Sequence, residues 1–307
     1  MAGTPDLTVR LGALTLPSPV LLAAGCWGYG ENRDPAVYAG VGALVVKTTT
    51  LKPRAGFPPP RMVETPSGML NAIGLENPGI EAVVREKLPA LRDFPVPVIL
   101  SIAGETVDEY AQLARRAAES PVPVALELNI SCPNTDSGGL EFTCDPAASA
   151  AVVRAVRPVW QRPLLVKLGP VTNIAAVAKA CEEAGADALT AVNTFRGMVI
   201  DTDTRQPAVS AGAGGLSGPA IRPLAVWCVH QGAQAVGIPV IGVGGISSGR
   251  DALEFLLAGA AAVQVGTAGL LDPLAAARIA RELLEALVRQ NVEDIAAVKG
   301  AARPKPA

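Results

Sequence analysis

Eight short apolar runs, spaced along the chain and separated by helical patterns, limit most tightly what this sequence can fold into. They read PVLLAAG (19–25), ALVVKTTT (43–50), PVILSIA (97–103), VALELNIS (124–131), LLVKLGP (164–170), ALTAVN (188–193), PVIGVGG (239–245) and AAVQVGT (261–267). Each has the length of a buried strand and is rich in β-branched residues or Leu. Between them lie TVDEYAQLARRAAES (106–120), DPAASAAVVRAVRPV (145–159), NIAAVAKACEEAG (173–185) and GRDALEFLLAGA (249–260), with apolar residues at helical spacing. Glycine closes helices in CEEAGAD and LLAGAAA, where a strand follows. Eight strands alternating with helices predict an α/β fold, a (β/α)8 TIM barrel, with a doubly wound open sheet as the alternative. The whole chain, 1–307, reads as one domain, with the barrel over about 19–290. TVRLGALTLPSP (8–19) predicts an N-terminal hairpin around Gly12. The segment after the sixth strand, about 194–217, is too long for a simple connection and predicts an inserted loop or hairpin on the C-terminal face. A disordered tail is expected over about 299–307.

Composition narrows the class. Half of the 307 residues are apolar, aromatics are few and the net charge is -2. That supports a large core under helices and excludes a nucleic-acid footprint or a polybasic membrane patch. MAGTPDLTVRLG has no basic start followed by an apolar run, and no stretch reads as a membrane span. The five cysteines, Cys26, Cys132, Cys144, Cys181 and Cys228, lie far apart with no C-x-x-C. A disulfide framework, a metal site and an iron–sulfur cluster of the chain's own are not expected, and a reduced, cytoplasmic protein is.

The polar residues gather where a barrel does chemistry, at the C-terminal ends of its strands. Lys47, Thr48 and Thr49 end the second run; Asn129, Ser131 and Cys132 end the fourth. Lys167 lies in the fifth, and Asn193 and Thr194 end the sixth. Two lysines inside apolar strands are costly unless they meet an anion or acceptors. GVGGISSGRDA and VGTAGLLDP close the last two runs with bare backbone N–H groups ahead of a helix start, which predicts a phosphate cradle around Gly244, Gly245, Gly266 and Thr267. GCWGYG (25–30) lacks the spacing of a dinucleotide fingerprint, so NAD is not assigned to this chain.

Several strings in order then become recognisable: ETPSGMLNAIGLENPG (64–79), NISCPN (129–134), VKLGP (166–170), VNT (192–194), GGLSGPAIRPLA (214–225) and IGVGGI (241–246). Together they closely resemble dihydroorotate dehydrogenase from about Pro19 to Pro273, and most resemble the class 1B, NAD-linked catalytic subunit. The membrane-associated class 2 enzymes use a serine base, whereas this chain has a cysteine. The resemblance implies an FMN enzyme that oxidises (S)-dihydroorotate to orotate in pyrimidine biosynthesis. It implies Cys132 as the base. It implies Lys47, Asn71, Gly74, Leu75, Asn129, Asn134, Asn193 and Thr194 around the substrate. FMN is implied to lie among Ala24, Gly25, Lys47, Thr48, Asn129, Lys167, Asn193, Gly218, Gly244, Gly245, Gly266 and Thr267. A homodimer is expected, completed to a heterotetramer by a partner carrying FAD and a [2Fe–2S] cluster that passes electrons to NAD.

The chemistry of these residue types agrees. A thiol takes a proton best as thiolate, and neutral amides match pyrimidine carbonyls and N–H groups. The alternatives are a flavin-dependent reductase of another pyrimidine, a Schiff-base aldolase using Lys167, and a non-catalytic flavin-binding scaffold subunit. The single histidine, His230, reads as an outer-helix residue, and Cys144 as a packing cysteine. Trp27 and Tyr29 face either the cofactor, a partner or the core.

Overall fold

The computed structural model describes residues 4–131 and 142–302. The N-terminal hairpin joins β1 (Val9–Leu11) to β2 (Leu14–Leu16), as the alternation around Gly12 predicts. The barrel begins with β3 (Val20–Leu22) and β4 (Ala43–Thr49). A second hairpin, β5 (Met62–Thr65) and β6 (Gly68–Asn71), precedes α1 (Ile80–Ala82) and β7 (Val98–Ile102). Helix α2 (Val107–Ala118) leads to β8 (Pro123–Asn129), α3 (Pro146–Val156) to β9 (Leu164–Leu168), and α4 (Ile174–Glu183) to β10 (Ala188–Ala191). Four short strands follow: β11 (Phe195–Gly197), β12 (Ile200–Asp201), β13 (Gln206–Pro207) and β14 (Gly214–Ser217). Helix α5 (Arg222–Ala235), β15 (Val240–Val243), α6 (Gly249–Leu257), β16 (Ala262–Val265), α7 (Thr267–Leu271) and α8 (Ala275–Arg289) complete the chain.

Eight parallel strands close in the order β10-β15-β16-β3-β4-β7-β8-β9. They fall on the eight apolar runs, most of them shortened at one or both ends, and β8 begins one residue earlier, at Pro123. Their residues are buried without alternation because side chains fill the interior on one face and helices cover the other. Helices α2, α3 and α6 start where their sequences provide caps. Thr106 accepts from Glu109 N ahead of α2, and Asp145 accepts from Ala147 N ahead of α3. Ser248 and Asp251 form a reciprocal capping box ahead of α6.

The inserted segment is larger than one hairpin. Strands β12 and β13 do pair with each other, but β11 and β14 join β6 and β5 in a separate four-stranded antiparallel sheet. In it Gly215 lies opposite Asn71 and Leu216 opposite Leu70. A small apolar cluster of Leu70, Ala72 and Val209 packs this sheet apart from the main core. Residues 299–302 belong to the body of the protein, not to a tail: Gly300 N and Ala302 N donate to Leu256 O and Leu257 O at the end of α6. Among the described residues, no helix is long and apolar enough to cross a membrane.

Candidate active site

A cavity of about 660 Å³ opens at the C-terminal ends of the barrel strands, roofed on one side by the four-stranded sheet. Its volume falls in the range of small-molecule and cofactor sites. It brings together Ala24, Gly25, Lys47, Thr48, Asn71, Gly74, Leu75, Asn129, Lys167, Asn193, Thr194, Gly218, Gly244, Gly245, Gly266 and Thr267. These are all the residues assigned from the sequence except Cys132 and Asn134, which lie outside the described residues.

The amide wall is ordered by its own hydrogen bonds. Asn129 Oδ1 accepts from Ser131 Oγ at 2.9 Å, and Asn193 Nδ2 donates to Ser131 Oγ at 2.8 Å. Thr194 N donates to Asn193 Oδ1 at 2.8 Å. Tyr110 Oη donates to the backbone carbonyl of Asn129 at 2.7 Å, anchoring the end of β8 to α2. From the sheet, Asn71 Nδ2 donates to Gly215 O at 3.2 Å, which leaves the Asn71 carbonyl oxygen for a ligand donor. Gly215 is a glycine because a Cβ there would lie 2.1 Å from Thr194 Oγ1.

Opposite this wall lies the glycine turn after β15. Gly244 and Gly245 have φ of +135° and +73°. A Cβ on Gly245 would lie 2.7 Å from Gly218 O, so this turn admits only glycine and keeps its amides bare. Asp251 holds the next residues: its Oδ2 accepts from Ser247 N, Ser247 Oγ and Ser248 N, each at 2.9 Å, while its other oxygen pairs with Arg222. Burial alone raises the Asp251 pKa, but these hydrogen bonds and the Arg222 charge outweigh it and hold the carboxyl below its ordinary value. On the next strand, Thr267 Oγ1 donates to Ser217 Oγ at 2.8 Å, which ties the inserted sheet to the second turn of the cradle.

The charges of the site are exposed by what they lack. Lys167 is buried, 6% exposed, and its side chain makes no hydrogen bond or ion pair with any described residue. A buried ammonium without a partner is costly, so the site calls for an anionic or acceptor-rich ligand. Lys47 faces the same cavity, and burial lowers its pKa from the ordinary value. The Cys26 thiol, also in the lining, is raised by burial against the opposing pull of Lys167 and Lys47 and stays a neutral thiol.

A family model described as Dihydroorotate dehydrogenase matches residues 6–287. The chain is 56% identical over 296 residues, 96% of each protein, to Dihydroorotate dehydrogenase B (NAD(+)), catalytic subunit, of Desulforudis audaxviator. It is 52% identical over 299 residues to the protein of the same name from Geobacter sulfurreducens, covering 97% of this chain and 98% of that one. The crystal structure of the Eimeria tenella dihydroorotate dehydrogenase with ferulenol superposes with a TM-score of 0.82 at 25% identity, over 98% of this chain and 89% of that one. The chain belongs to the dihydroorotate dehydrogenase family.

Within that family frame, several lining residues escaped the sequence reading. Cys26 directly follows the first apolar run, a few residues beyond the end of β3, at the same rim as Lys47 and Asn129. Ser67, Ser217 and Arg278 carried no positional signal, because they reach the cavity through the four-stranded sheet and through α8. Trp27 and Tyr29 are core residues. Trp27 packs on Gly269, and Tyr29 Oη shares a 3.0 Å hydrogen bond with Thr49 Oγ1, its pKa pushed up to about 12 chiefly by burial. His230 lies on α5, beside Gln234, as an outer-helix residue. Cys144 corrects the expectation of a packing cysteine: it is exposed, because it falls in the short turn just before the Asp145 cap rather than on the buried face of α3.

Proposed function

We propose that this chain is the FMN-binding catalytic subunit of an NAD-linked dihydroorotate dehydrogenase, which oxidises (S)-dihydroorotate to orotate in pyrimidine biosynthesis. The observation that carries the reading is one cavity holding a buried Lys167 whose side chain has no partner among the described residues, a glycine-only anion turn and a wall of neutral amides. The donor set fits FMN. The bare amides at Gly244, Gly245, Gly266 and Thr267 suit its phosphate, and Lys167 suits an electron-rich ring edge. Ala24, Gly25, Thr48 and Gly218 give the small surfaces a flat ring needs. FMN, when bound, supplies the acceptor for the hydride that leaves C6 of the substrate.

The rest falls to this chain. Asn71, Asn129, Asn134, Asn193 and Thr194 orient the dihydropyrimidine through its carbonyls and N–H groups, with Gly74 and Leu75 closing the edge. Lys47 holds the substrate carboxylate. Cys132 removes the C5 proton from the face opposite the flavin. A homodimer, a partner subunit with FAD and [2Fe–2S], and a cytoplasmic location belong to the same proposal. The names of the curated relatives, catalytic subunits of an NAD(+) enzyme, support the partner.

Anaerobic addition of dihydroorotate to the yellow purified protein tests the proposal: the flavin colour should bleach within the mixing time of a catalytic turnover. Bound flavin that does not bleach would leave a scaffold subunit. A colourless protein trapped by borohydride on Lys167 would leave an aldolase.

Lys47 adds a pH signature. Its protonated form is the one that holds a carboxylate, and burial lowers its pKa from 10.5. The KM for dihydroorotate is therefore expected to climb on the alkaline side, beginning at lower pH than a free lysine would dictate. Initial rates across an alkaline pH series measure it, and a KM that is flat up to 10.5 contradicts the assignment.

A further inference from the structure

Glu127, near the end of β8, is fully buried, as are Thr190 on β10 and Gln264 on β16. Thr190 Oγ1 donates to Glu127 Oε2 at 2.9 Å, and Gln264 Nε2 donates to the same oxygen at 2.7 Å. Going round the barrel, β9 separates β8 from β10, and β15 separates β10 from β16. The three side chains are thus alternate-strand members of one interior layer, a place where TIM barrels put branched apolar residues. None of the three lines the cavity.

This arrangement is expensive for stability. Glu127 forms no ion pair with a described residue, and neither its Oε1 nor Oε1 of Gln264 has a hydrogen-bond partner there. A buried carboxyl served by neutral donors, with an oxygen left over, costs more than an apolar side chain of the same size. Its value has to lie elsewhere, and the strand ends show where. Asn129 follows Glu127 by two residues on β8. Asn193 and Thr194 come three and four residues after Thr190. Gly266 and Thr267 come two and three residues after Gln264. The carboxyl spans the interior directly behind the substrate-facing amides and the phosphate-facing turn.

We propose that Glu127 is a positioning residue, whose carboxyl braces these three strands so that the pyrimidine end and the phosphate end of the site keep a fixed spacing. The proposal deepens the flavin reading given above and rests on it. Each hydrogen bond is one leg of the brace. The Gln264 leg governs the phosphate turn, and the Thr190 leg governs the amides. Displacements well under 1 Å at such groups are enough to be read in binding and rate.

The test separates the legs. Flavin-stripped protein is titrated with FMN, and the FMN-saturated protein is assayed with dihydroorotate. Gln264→Leu is expected to raise the FMN Kd about tenfold and to leave the dihydroorotate KM within about twofold of wild type. Thr190→Val, nearly isosteric, should do the reverse. Glu127→Leu should do both. Glu127→Gln, whose amide oxygen can accept from both donors, should restore both. Should Glu127→Leu fail to fold, the two single-leg variants still decide the matter. If both show wild-type FMN affinity and wild-type KM, with only the melting temperature lowered, the network is packing and the brace is refuted. Wild-type protein that binds no FMN at all would instead remove the flavin reading and the brace with it.

Discussion

Replacing Cys132 by alanine is expected to slow reduction of the bound flavin by dihydroorotate about 10²–10⁴-fold, while FMN stays bound at full stoichiometry. The size follows from the reaction. The C5 proton is only weakly acidic, and under the proposed mechanism it leaves from the face turned away from the cofactor, where no other side chain assigned to the site is a base. The neighbouring assigned groups are amides, a hydroxyl and ammonium groups, which cannot accept a proton at neutral pH. An unperturbed thiol ionises near pH ~8.5, so the wild-type rate should rise with pH through the neutral and mildly alkaline range. The variant should lose that rise. Anaerobic stopped-flow traces of the flavin absorption, taken at several pH values, give both quantities. A C132A protein reduced at close to the wild-type rate would remove Cys132 from the mechanism. Cys26, a thiol in the described lining of the cavity, is no substitute. Its pKa is raised by burial, so it remains protonated where the base must be ionised.

Exchanging Lys167 for methionine should produce the second large effect, and with an unusual pair of signs. The ammonium is buried in β9 with no partner among the described residues. Without ligand it is a burden on the fold, and an apolar side chain of similar length relieves it. The apo-protein of K167M is therefore expected to melt no lower than wild type. With ligand, the same charge is the contact that favours an electron-rich ring, and its loss should cost on the order of 10²–10³ in the rate of flavin reduction. FMN affinity should fall as well. Thermal melts of the stripped proteins, FMN titrations and single-turnover rates read the three effects separately. An apo-protein that melts well below wild type would show that Lys167 is a structural ion-pair residue. FMN binding and reduction unchanged from wild type would show that it faces no flavin.

The family resemblance could be drawn from the sequence because its strings are long, ordered and contiguous. The barrel could be drawn without it. Parallel strands buried on both faces read as unbroken apolar runs, and the helices of 106–120, 145–159, 173–185 and 249–260 read at their own period, so eight strands and their alternation with helices are visible without any long-range information. The strand-end residues Lys47, Asn129, Lys167, Asn193 and the glycines of the last two turns followed at once, because the barrel topology itself sends every strand end to one rim.

What no local pattern carried was pairing between distant segments. Asn71 meets the Gly215 carbonyl across 144 residues of chain, in a sheet whose strands are three or four residues long. A strand that short has no period to detect, and its partner is chosen by closure of the surrounding fold. Ser217, Ser67 and the roof over the cavity come from that sheet. Glu127 belongs to the same class. In sequence it is one polar residue in an apolar run, and only the closed barrel brings Thr190 and Gln264 to its oxygen. The amino-acid order by itself determined the repeat, the rim and the chemistry available on it. The tertiary structure alone decided which remote side chains meet, since hydrogen bonds between strands far apart in sequence exist only once the cylinder is shut.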